Sequence, residues 1–167
     1  MHVTAIIVAA GEGKRMGGAI SKTFLPIAGR PLVLRTLDRF LSARCVEKVI
    51  LVVSSKELRN SQTLIQNDPD LCQRSWVLQA GGASRQESVR LGLEALDSDC
   101  EIVAIHDGAR PLVSSSLIDR CVNEAYRVGA VVIGVPVRDT IKVVSEEHWV
   151  QATPARNTLW EIQTPQV

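Results

Sequence analysis

Apolar and polar residues follow each other along the chain in blocks that fit strands and helices in turn. Runs rich in Val, Ile, Leu and Ala predict buried strands, and these cover residues 3–10, 46–53, 76–79, 101–105 and 130–135. Between them, apolar residues recur at helical spacing, which predicts helices over residues 31–43, 56–67, 84–96 and 114–128. About five alternations predict an α/β fold with a Rossmann-like, mostly parallel sheet and helices on both faces.

The third predicted helix carries the clearest local signal. Ser84 and Glu87 have the spacing of a capping box, in which the serine accepts a hydrogen bond from the backbone at the glutamate. We expect Val89, Leu93 and Leu96 to form the buried face of this helix.

The pattern changes after Pro136. Residues 138–144 alternate, 145–147 favour a turn, and 149–153 are extended again, which predicts a β-hairpin arm appended to the sheet. We expect one domain, residues 1–167, with the arm at 137–157. The pattern leaves open whether the arm contacts a second subunit or packs on its own.

Composition narrows the class of protein. The chain has 167 residues, a net charge of +1 and only 4% aromatic residues. It contains no basic block interleaved with aromatic residues, which disfavours a nucleic-acid-binding surface. No apolar run is long enough to cross a membrane. The four cysteines form no C-x-x-C pair, so a zinc site and a disulfide framework are unsupported, and reduced thiols in a cytoplasmic protein are expected.

The first predicted strand leads into a loop dense in glycine and positive charge, residues 11–22. Glycines let backbone N–H groups approach an anion closely, and nearby cations neutralise it. Arg15 and Lys22 can place two positive charges around one phosphate, where they stabilise the charge that develops in nucleotidyl transfer. We hypothesise that the loop holds a nucleoside triphosphate. A surface turn with solvated Lys and Arg is the alternative.

Two common phosphate motifs do not fit this loop. Gly11 and Gly13 match the start of a dinucleotide fingerprint, but Met16 stands where the third glycine belongs. A P-loop requires Ser or Thr after Gly-Lys, and Arg15 follows here.

Two more strand ends carry unusual loops, residues 80–85 and 106–110. Ligands bind at the carboxyl ends of strands in such sheets, so we expect both loops to meet the glycine loop. Asp107 can hold a substrate hydroxyl or a magnesium-bound water, and Arg110 can grip a phosphate. An Asp–Arg pair without a ligand is the alternative. His106 is expected to be packed rather than catalytic.

Together, seven segments resemble a known family, the 2-C-methyl-D-erythritol 4-phosphate cytidylyltransferases of the non-mevalonate isoprenoid pathway. They occur in the family's order and cover the whole chain: A-A-G-E-G-K-R-M-G (9–17), S-K-T-F (21–24), G-G-A-S-R-Q-E-S-V (81–89), H-D-G-A-R-P (106–111), P-V-R-D-T-I-K (136–142), A-R-N-T-L-W (155–160) and Q-T-P-Q (163–166). The resemblance implies a fold of the nucleotide-diphospho-sugar transferase type. It implies transfer from CTP to methylerythritol phosphate with release of pyrophosphate, Mg²⁺ as cofactor, and a homodimer formed through the arm.

The resemblance also implies site residues. The catalytic residues are Arg15, Lys22 and Arg156, the last brought in on the arm of the neighbouring subunit to position the acceptor phosphate. The CTP-binding residues are Ala9, Ala10, Gly11, Glu12, Gly13, Gly82, Arg85 and Ser88. The acceptor-binding residues are Asp107, Arg110, Asp139, Thr140 and Thr164. Asp107 is also expected at the metal, which is held mainly by substrate phosphates and water.

Two departures from the family pattern affect the site. Ala83 replaces a residue that is often acidic, so a ribose contact is expected to be missing. The family continues beyond the position of Val167 and carries there a lysine that helps Arg156, so the chain is expected to be short at its C-terminus. A cytidylyltransferase for another polyol phosphate, such as ribitol 5-phosphate, and a nucleotide-binding or dimerising fragment without turnover stay open. The segments at 106–111 and 136–140 argue against a sugar-phosphate nucleotidyltransferase.

Overall fold

The computed structural model describes residues 1–11 and 21–167. The helices are α1 (Leu32–Leu41), α2 (Leu58–Gln66), α3 (Arg85–Glu94) and α4 (Ser115–Val128). The strands are β1 (Val3–Val8), β2 (Pro26–Ile27), β3 (Arg30–Pro31), β4 (Lys48–Val53), β5 (Trp76–Ala80), β6 (Ile102–Asp107), β7 (Val132–Pro136), β8 (Val143–Val144), β9 (Val150–Ala152) and β10 (Trp160–Gln166).

The main sheet of the described residues has the strand order β5–β4–β1–β6–β10–β7. The first four strands are parallel, and Ile6 at the centre of β1 pairs with Ile50 on one side and Ile105 on the other. Strand β10 runs antiparallel to both of its neighbours. The predicted mostly parallel α/β sheet is therefore confirmed.

Helices cover both faces of the sheet. On one face, Ile7 of β1 is buried in a cluster with Phe40 of α1, Ile65 of α2 and Ile118 of α4. On the other face, α3 approaches β1 and β4. Because successive strand residues point to opposite faces, the β-branched run of β1 serves both cores.

The predicted buried face of α3 is wrong at Leu93, whereas Leu96, just after the helix, is partly buried against the core residues Ile6, Ile50 and Val52. Leu93 is 42% exposed, and the buried positions of the helix are Ser88 and Gly92, one turn apart. A Cβ atom at Gly92 would lie 2.7 Å from Cγ2 of Ile6. The helix therefore packs by close backbone approach instead of by an apolar stripe, and the spacing of leucines and valines does not reveal this.

The strand predicted as buried at residues 130–135 is also different. In the described part of the chain, β7 lies at the edge of the sheet, and Val132 and Val135 are exposed. The sequence pattern did not indicate β10, which lies between β6 and β7. Because β10 lies between β6 and β7, β7 becomes the edge strand. This explains why the apolar residues at 130–135 are partly exposed to solvent.

The predicted hairpin arm is present. Strands β8 and β9 pair antiparallel, with Val143 opposite Ala152. The Ser145 N–H donates to the Trp149 carbonyl at 2.9 Å and closes the turn between them.

The cysteines are free thiols. Cys45 lies between α1 and β4, and its Sγ donates to Oδ1 of Asp119 on α4 at 2.9 Å. Burial, and then the Asp119 carboxylate, raise the pKa of the Cys45 thiol to about 12. The Cys45 thiol therefore stays protonated, and its hydrogen bond links the segment between α1 and β4 to α4. No helix within residues 1–11 and 21–167 combines the length and apolar character that crossing a membrane requires.

Candidate active site

The carboxyl ends of the parallel strands meet at one edge of the sheet. The Ala9 N–H donates to the Val52 carbonyl at 2.7 Å, and the Gly81 N–H donates to the Val53 carbonyl at 2.8 Å. On the other side of β1, the Gly108 N–H donates to the Val8 carbonyl at 2.8 Å. The residues that follow β1 thus lie beside the loops at 80–85 and 106–110. Residues 12–20 of the glycine loop lie outside the described residues, so its meeting with these loops stays a prediction.

Close contact between these loops depends on glycine. A Cβ atom at Gly81 would lie 2.4 Å from Cβ of Ala10 and 2.9 Å from Oγ of Ser88. A Cβ atom at Gly108 would lie 2.9 Å from Cβ of Ala9. These positions have no room for a side chain, so bare backbone faces this edge.

The loop before α3 is held in shape by its own helix. The Ser84 hydroxyl accepts from the Glu87 N–H at 3.0 Å, as the capping box predicts. The Glu87 carboxylate accepts instead from the Ala83 N–H, at 2.9 Å, one residue before the expected partner. The Ser88 hydroxyl, 1% exposed, donates to the Ser84 carbonyl at 2.9 Å and accepts from the Gly82 N–H at 3.2 Å. Ser88 thus fixes the backbone that presents Gly82.

Asp107 is the centre of a charged group at this edge. Arg85 donates from Nε to its Oδ1 at 3.0 Å, and Arg110 donates from Nε to its Oδ2 at 2.9 Å. The Asp107 N–H donates to Oγ1 of Thr164 on β10 at 3.3 Å, and Arg110 also donates to Oε1 of Gln163. We call these five residues the Asp107 group.

The electrostatics of the group favour an anionic ligand. Burial raises the pKa of the Asp107 carboxyl, but the hydrogen bonds from Arg110 and Arg85 outweigh burial and hold that pKa below its usual range. Asp107 is therefore ionised at neutral pH, and the two guanidinium groups exceed its single negative charge. Both guanidinium groups are about half exposed, so an incoming phosphate can reach them.

Two buried side chains hold the turn that carries Asp107. His106 is fully buried, its Nε2 lies 3.1 Å from the Arg110 carbonyl, and its ring centroid lies 4.8 Å from that of Phe40. Burial lowers the pKa of His106, so the neutral ring donates from Nε2. The Thr36 hydroxyl on α1 donates to the Gly108 carbonyl at 2.9 Å. The expectation of a packed His106 is confirmed.

Sequence reasoning missed Thr36 and Gln163. Thr36 lies in the middle of a helix and has no local motif. Gln163 belongs to a segment that matches the family, but its contact with Arg110 spans 53 residues, so no spacing rule connects them.

Lys22 lies on a single 3₁₀ turn, Lys22–Phe24, that follows the glycine loop. Lys22 is exposed, whereas Thr23 and Phe24 beneath it are buried. Arg15, Glu12 and Gly13 lie outside the described residues. Ala10 and Gly11 border the site directly.

The arm residues are not joined to this edge within one chain. Arg156 donates from Nη1 to the Arg138 carbonyl at 2.7 Å, and Asp139 and Thr140 are exposed. No hydrogen bond between described residues links any of these three predicted site residues to the Asp107 group. Of the residues predicted to bind the acceptor, the structure therefore brings together Asp107, Arg110 and Thr164.

A mostly parallel sheet with Arg85 and Arg110 around Asp107 at its carboxyl edge fits an α/β enzyme that acts on phosphorylated ligands. The model of the family described as IspD, 2-C-methyl-D-erythritol 4-phosphate cytidylyltransferase, matches residues 3–167, and the chain belongs to this family. The family resemblance found in the sequence is thereby confirmed.

Individual relatives agree with the family match. The chain is 42% identical over 167 residues to the 2-C-methyl-D-erythritol 4-phosphate cytidylyltransferase of Caldanaerobacter subterraneus, covering 100% of this chain and 73% of the relative. It is 44% identical to the enzyme of that name from Alkaliphilus metalliredigens, covering 99% and 68%. The crystal structure of 4-diphosphocytidyl-2C-methyl-D-erythritol synthase from Anaerococcus prevotii superposes with a TM-score of 0.84 at 30% identity, covering 99% of this chain and 68% of that one. The cytidylyltransferase structure from Thermus thermophilus gives a TM-score of 0.70 at 34% identity, covering 99% and 70%.

Proposed function

We propose that the chain joins CTP and 2-C-methyl-D-erythritol 4-phosphate, giving 4-diphosphocytidyl-2-C-methyl-D-erythritol and pyrophosphate. An oxygen of the acceptor phosphate forms a bond to the α-phosphorus of CTP, and the bond from that phosphorus to the bridging β-phosphate oxygen breaks. The acceptor phosphate is already an anion at neutral pH, so the step needs no general base. The observation that supports the proposal is that Ala9 and Ala10, the loop at 80–85 and the Asp107 group lie together at one edge of the sheet, in a chain of this family.

The nucleotide side of the site consists of backbone and one arginine. Ala10 and Gly11 border this edge beside Gly81 and Gly108, where a side chain has no room, so a phosphate or base can approach the backbone closely. The full proposed CTP-binding set is Ala9, Ala10, Gly11, Glu12, Gly13, Gly82, Arg85 and Ser88. The internal hydrogen bonds of Ser88 support a role in presenting Gly82 to the base.

Arg15 and Lys22 are the proposed pair that stabilises the transition state at the α-phosphate. Charge develops on the non-bridging and leaving oxygens during nucleotidyl transfer, and fixed cations there lower the barrier. The exposed position of Lys22 at the carboxyl edge supports this role.

Asp107, Arg110 and Thr164 form the proposed acceptor side, with Asp139, Thr140 and Arg156 supplied by the arm. The Asp107 carboxylate accepts from substrate hydroxyls, and Arg110 attracts the phosphate.

The proposed homodimer brings Arg156 in from the neighbouring subunit. In one chain, Arg156 is engaged with the Arg138 carbonyl. The arm, residues 137–157 of a single domain, exposes apolar side chains, with Trp149 75% and Val150 61% exposed. Exposed aromatic and aliphatic groups of this kind are typical of interfaces.

The proposed cofactor is Mg²⁺. No group of three His, Cys, Asp or Glu side chains among the described residues could hold a metal. The Asp107 carboxylate lies at the site, between Arg85 and Arg110. This fits magnesium, which commonly binds one or two carboxylates together with substrate phosphates and water. Bound magnesium supplies positive charge to the triphosphate. The free thiols support a cytoplasmic location.

A matrix of substrates tests the proposal. Pyrophosphate release is measured with CTP, UTP and GTP against methylerythritol phosphate and ribitol 5-phosphate, with and without Mg²⁺. We expect release with CTP, methylerythritol phosphate and Mg²⁺ together. Faster release with ribitol 5-phosphate would reassign the acceptor, and no release in any combination while CTP binds would identify a chain without turnover.

Lys22→Ala tests the proposed catalytic role directly. We expect pyrophosphate release to be abolished and the circular dichroism spectrum to be unchanged, because Lys22 is exposed and its removal exposes no core. Arg59→Ala, which removes an exposed cation from α2, is the control and should keep full activity. An unchanged rate in Lys22→Ala would exclude the role.

A further inference from the structure

Two hydroxyl groups flank Lys22 and connect it to the end of β1. Ser21 precedes the lysine, and its hydroxyl donates to the Gly11 carbonyl at 2.9 Å. Thr23 follows the lysine, and its Oγ1 lies 3.0 Å from Oγ of Ser21. We infer that Ser21 and Thr23 are positioning residues that fix Lys22 for reaction, an inference that rests on the proposed function.

The protons of the two hydroxyls can be assigned by counting. Each hydroxyl has one proton to donate. Since Ser21 donates to the Gly11 carbonyl, Thr23 supplies the proton shared between the two hydroxyls. The Ala9 carbonyl, 3.5 Å from Oγ1 of Thr23, is the longer alternative acceptor. Both hydroxyls are thus satisfied, and together they link the Lys22 turn to residues 9 and 11.

Burial anchors the other side of the turn. Thr23 is 4% exposed, and Phe24 belongs to the main core. The Phe24 N–H donates to the Ser21 carbonyl at 2.9 Å, which closes the 3₁₀ turn around Lys22. The backbone of Lys22 is therefore held on both sides, while its side chain remains exposed.

This arrangement matters because the proposed role of Lys22 is electrostatic. A cation lowers the barrier most when it is already in place before charge develops on the phosphate oxygens. A displacement of about 1 Å in a reacting group can cost about a hundredfold in rate. The hydroxyl pair restricts such displacement without contacting the nucleotide, so its loss should affect kcat more than KM.

The test uses Ser21→Ala, Thr23→Val and the double variant, with pyrophosphate release as the assay. Ser21→Ala removes both hydrogen bonds of the pair, and Thr23→Val removes the one between the two hydroxyls. We expect kcat to fall about tenfold in each single variant. The KM for CTP should change by less than about twofold, because the two hydroxyls do not contact the nucleotide and their loss leaves its binding unchanged. The kcat of the double variant should be lower still. In Ser21→Ala alone, Thr23 can still donate to the Ala9 carbonyl, whereas the valine side chain in the double variant has no proton to donate. Ser21→Thr keeps the hydroxyl and should restore kcat.

Ser98→Ala is the matched control, because Ser98 is exposed in the loop before β6, at the opposite edge of the sheet. It should match the wild type. A kcat unchanged in Ser21→Ala, or a KM that rises as much as kcat falls, would overturn the inference.

Amide hydrogen exchange separates this inference from the proposed function. If the wild-type chain released no pyrophosphate, the proposed function would fail, and exchange would still report on the turn. Faster exchange at the Phe24 amide in the double variant would support the positioning role. Unchanged exchange there would overturn it.

Discussion

Gly81→Ala places a methyl group where two loops of the site touch. The new Cβ would lie 2.4 Å from Cβ of Ala10, and ordinary contact begins at 3.4 Å. The two loops must therefore separate by about 1 Å. Cβ of Ala10 is bonded directly to the backbone, so no rotamer change relieves the overlap. Oγ of Ser88, 2.9 Å from the same methyl, must also shift, and this weakens its hydrogen bonds with Gly82 and Ser84.

The cost of this change can be worked out from its parts. Overpacking of this kind costs about 1–3 kcal/mol. The smaller conformational freedom of Ala in the unfolded chain returns about 0.4–1 kcal/mol. Because no rotamer change relieves the overlap, the cost lies in the upper half of its range, about 2–3 kcal/mol. The net loss of about 1–2.6 kcal/mol lowers Tm by about 2–4 °C per kcal/mol in a chain of this size. Because Gly82 moves with Gly81, we expect the affinity for CTP to fall by about tenfold or more.

Thermal unfolding and calorimetric titration with CTP measure the two effects. Gly134→Ala is the control, because its Cβ would come no closer than 3.3 Å to Cδ1 of Ile162 and 3.4 Å to Cε3 of Trp160, side-chain atoms that can move, and the Glu161 carbonyl oxygen at 3.6 Å is in ordinary contact. A Gly81→Ala protein with the Tm and CTP affinity of the wild type would refute the argument that the loops are in rigid contact.

Two further predictions concern ionisation. The pKa of Asp107 lies below its usual range, so its ion pairs stabilise the fold above about pH 4 and are lost as pH falls through the folded pKa. The Tm difference between wild type and Asp107→Asn should be constant from about pH 5 to 7 and shrink progressively as the pH falls below about 4; a difference that does not decrease at all on acidification would contradict this. The pKa of Cys45 is raised from 9.0 to about 12, so stability should fall as pH rises above 9, and less steeply in Cys45→Ala. If Tm fell equally steeply with pH in the wild type and in Cys45→Ala, this would be evidence against a buried, protonated thiol.

The sequence predicted those parts of the fold that depend on local pattern. The parallel strands are continuous apolar runs, and the capping box at Ser84 is a signal four residues long. The hairpin arm shows alternation on both sides of a turn. Each of these features is decided by neighbours in the chain, so its residues carry the information themselves.

Strand β10 was missed because its sequence contradicts its position. It contains Pro165, which cannot donate to a neighbouring strand and normally argues against an interior strand. In the structure, the register between β10 and β7 shifts between Ile162 and Gln166, so the proline lies where the ladder is interrupted. Only the tertiary arrangement provides that irregularity.

The candidate site was predicted in its members but not in its geometry. Asp107 and Arg110 are close in sequence, and their pairing could be expected. Arg85 is 22 residues from Asp107 and Thr164 is 57 residues away, so their contacts follow from strand order. The face of α3 was missed for a related reason, because a glycine that permits close approach leaves no apolar signal.

The insertion of β10 between β6 and β7 has a consequence for the order in which the chain folds during synthesis. Strands β1, β4, β5 and β6 can pair with one another as soon as residues up to 107 have left the ribosome. Strand β7 is made next but must wait for residues 160–166 before it has a partner in the main sheet. During that interval, Val132 and Val135 have no strand beside them, and an apolar segment of this kind is a target for chaperones. The same strand that completes the sheet also brings Thr164 to Asp107, so the nascent chain acquires its proposed acceptor side and its last sheet pairing in one event.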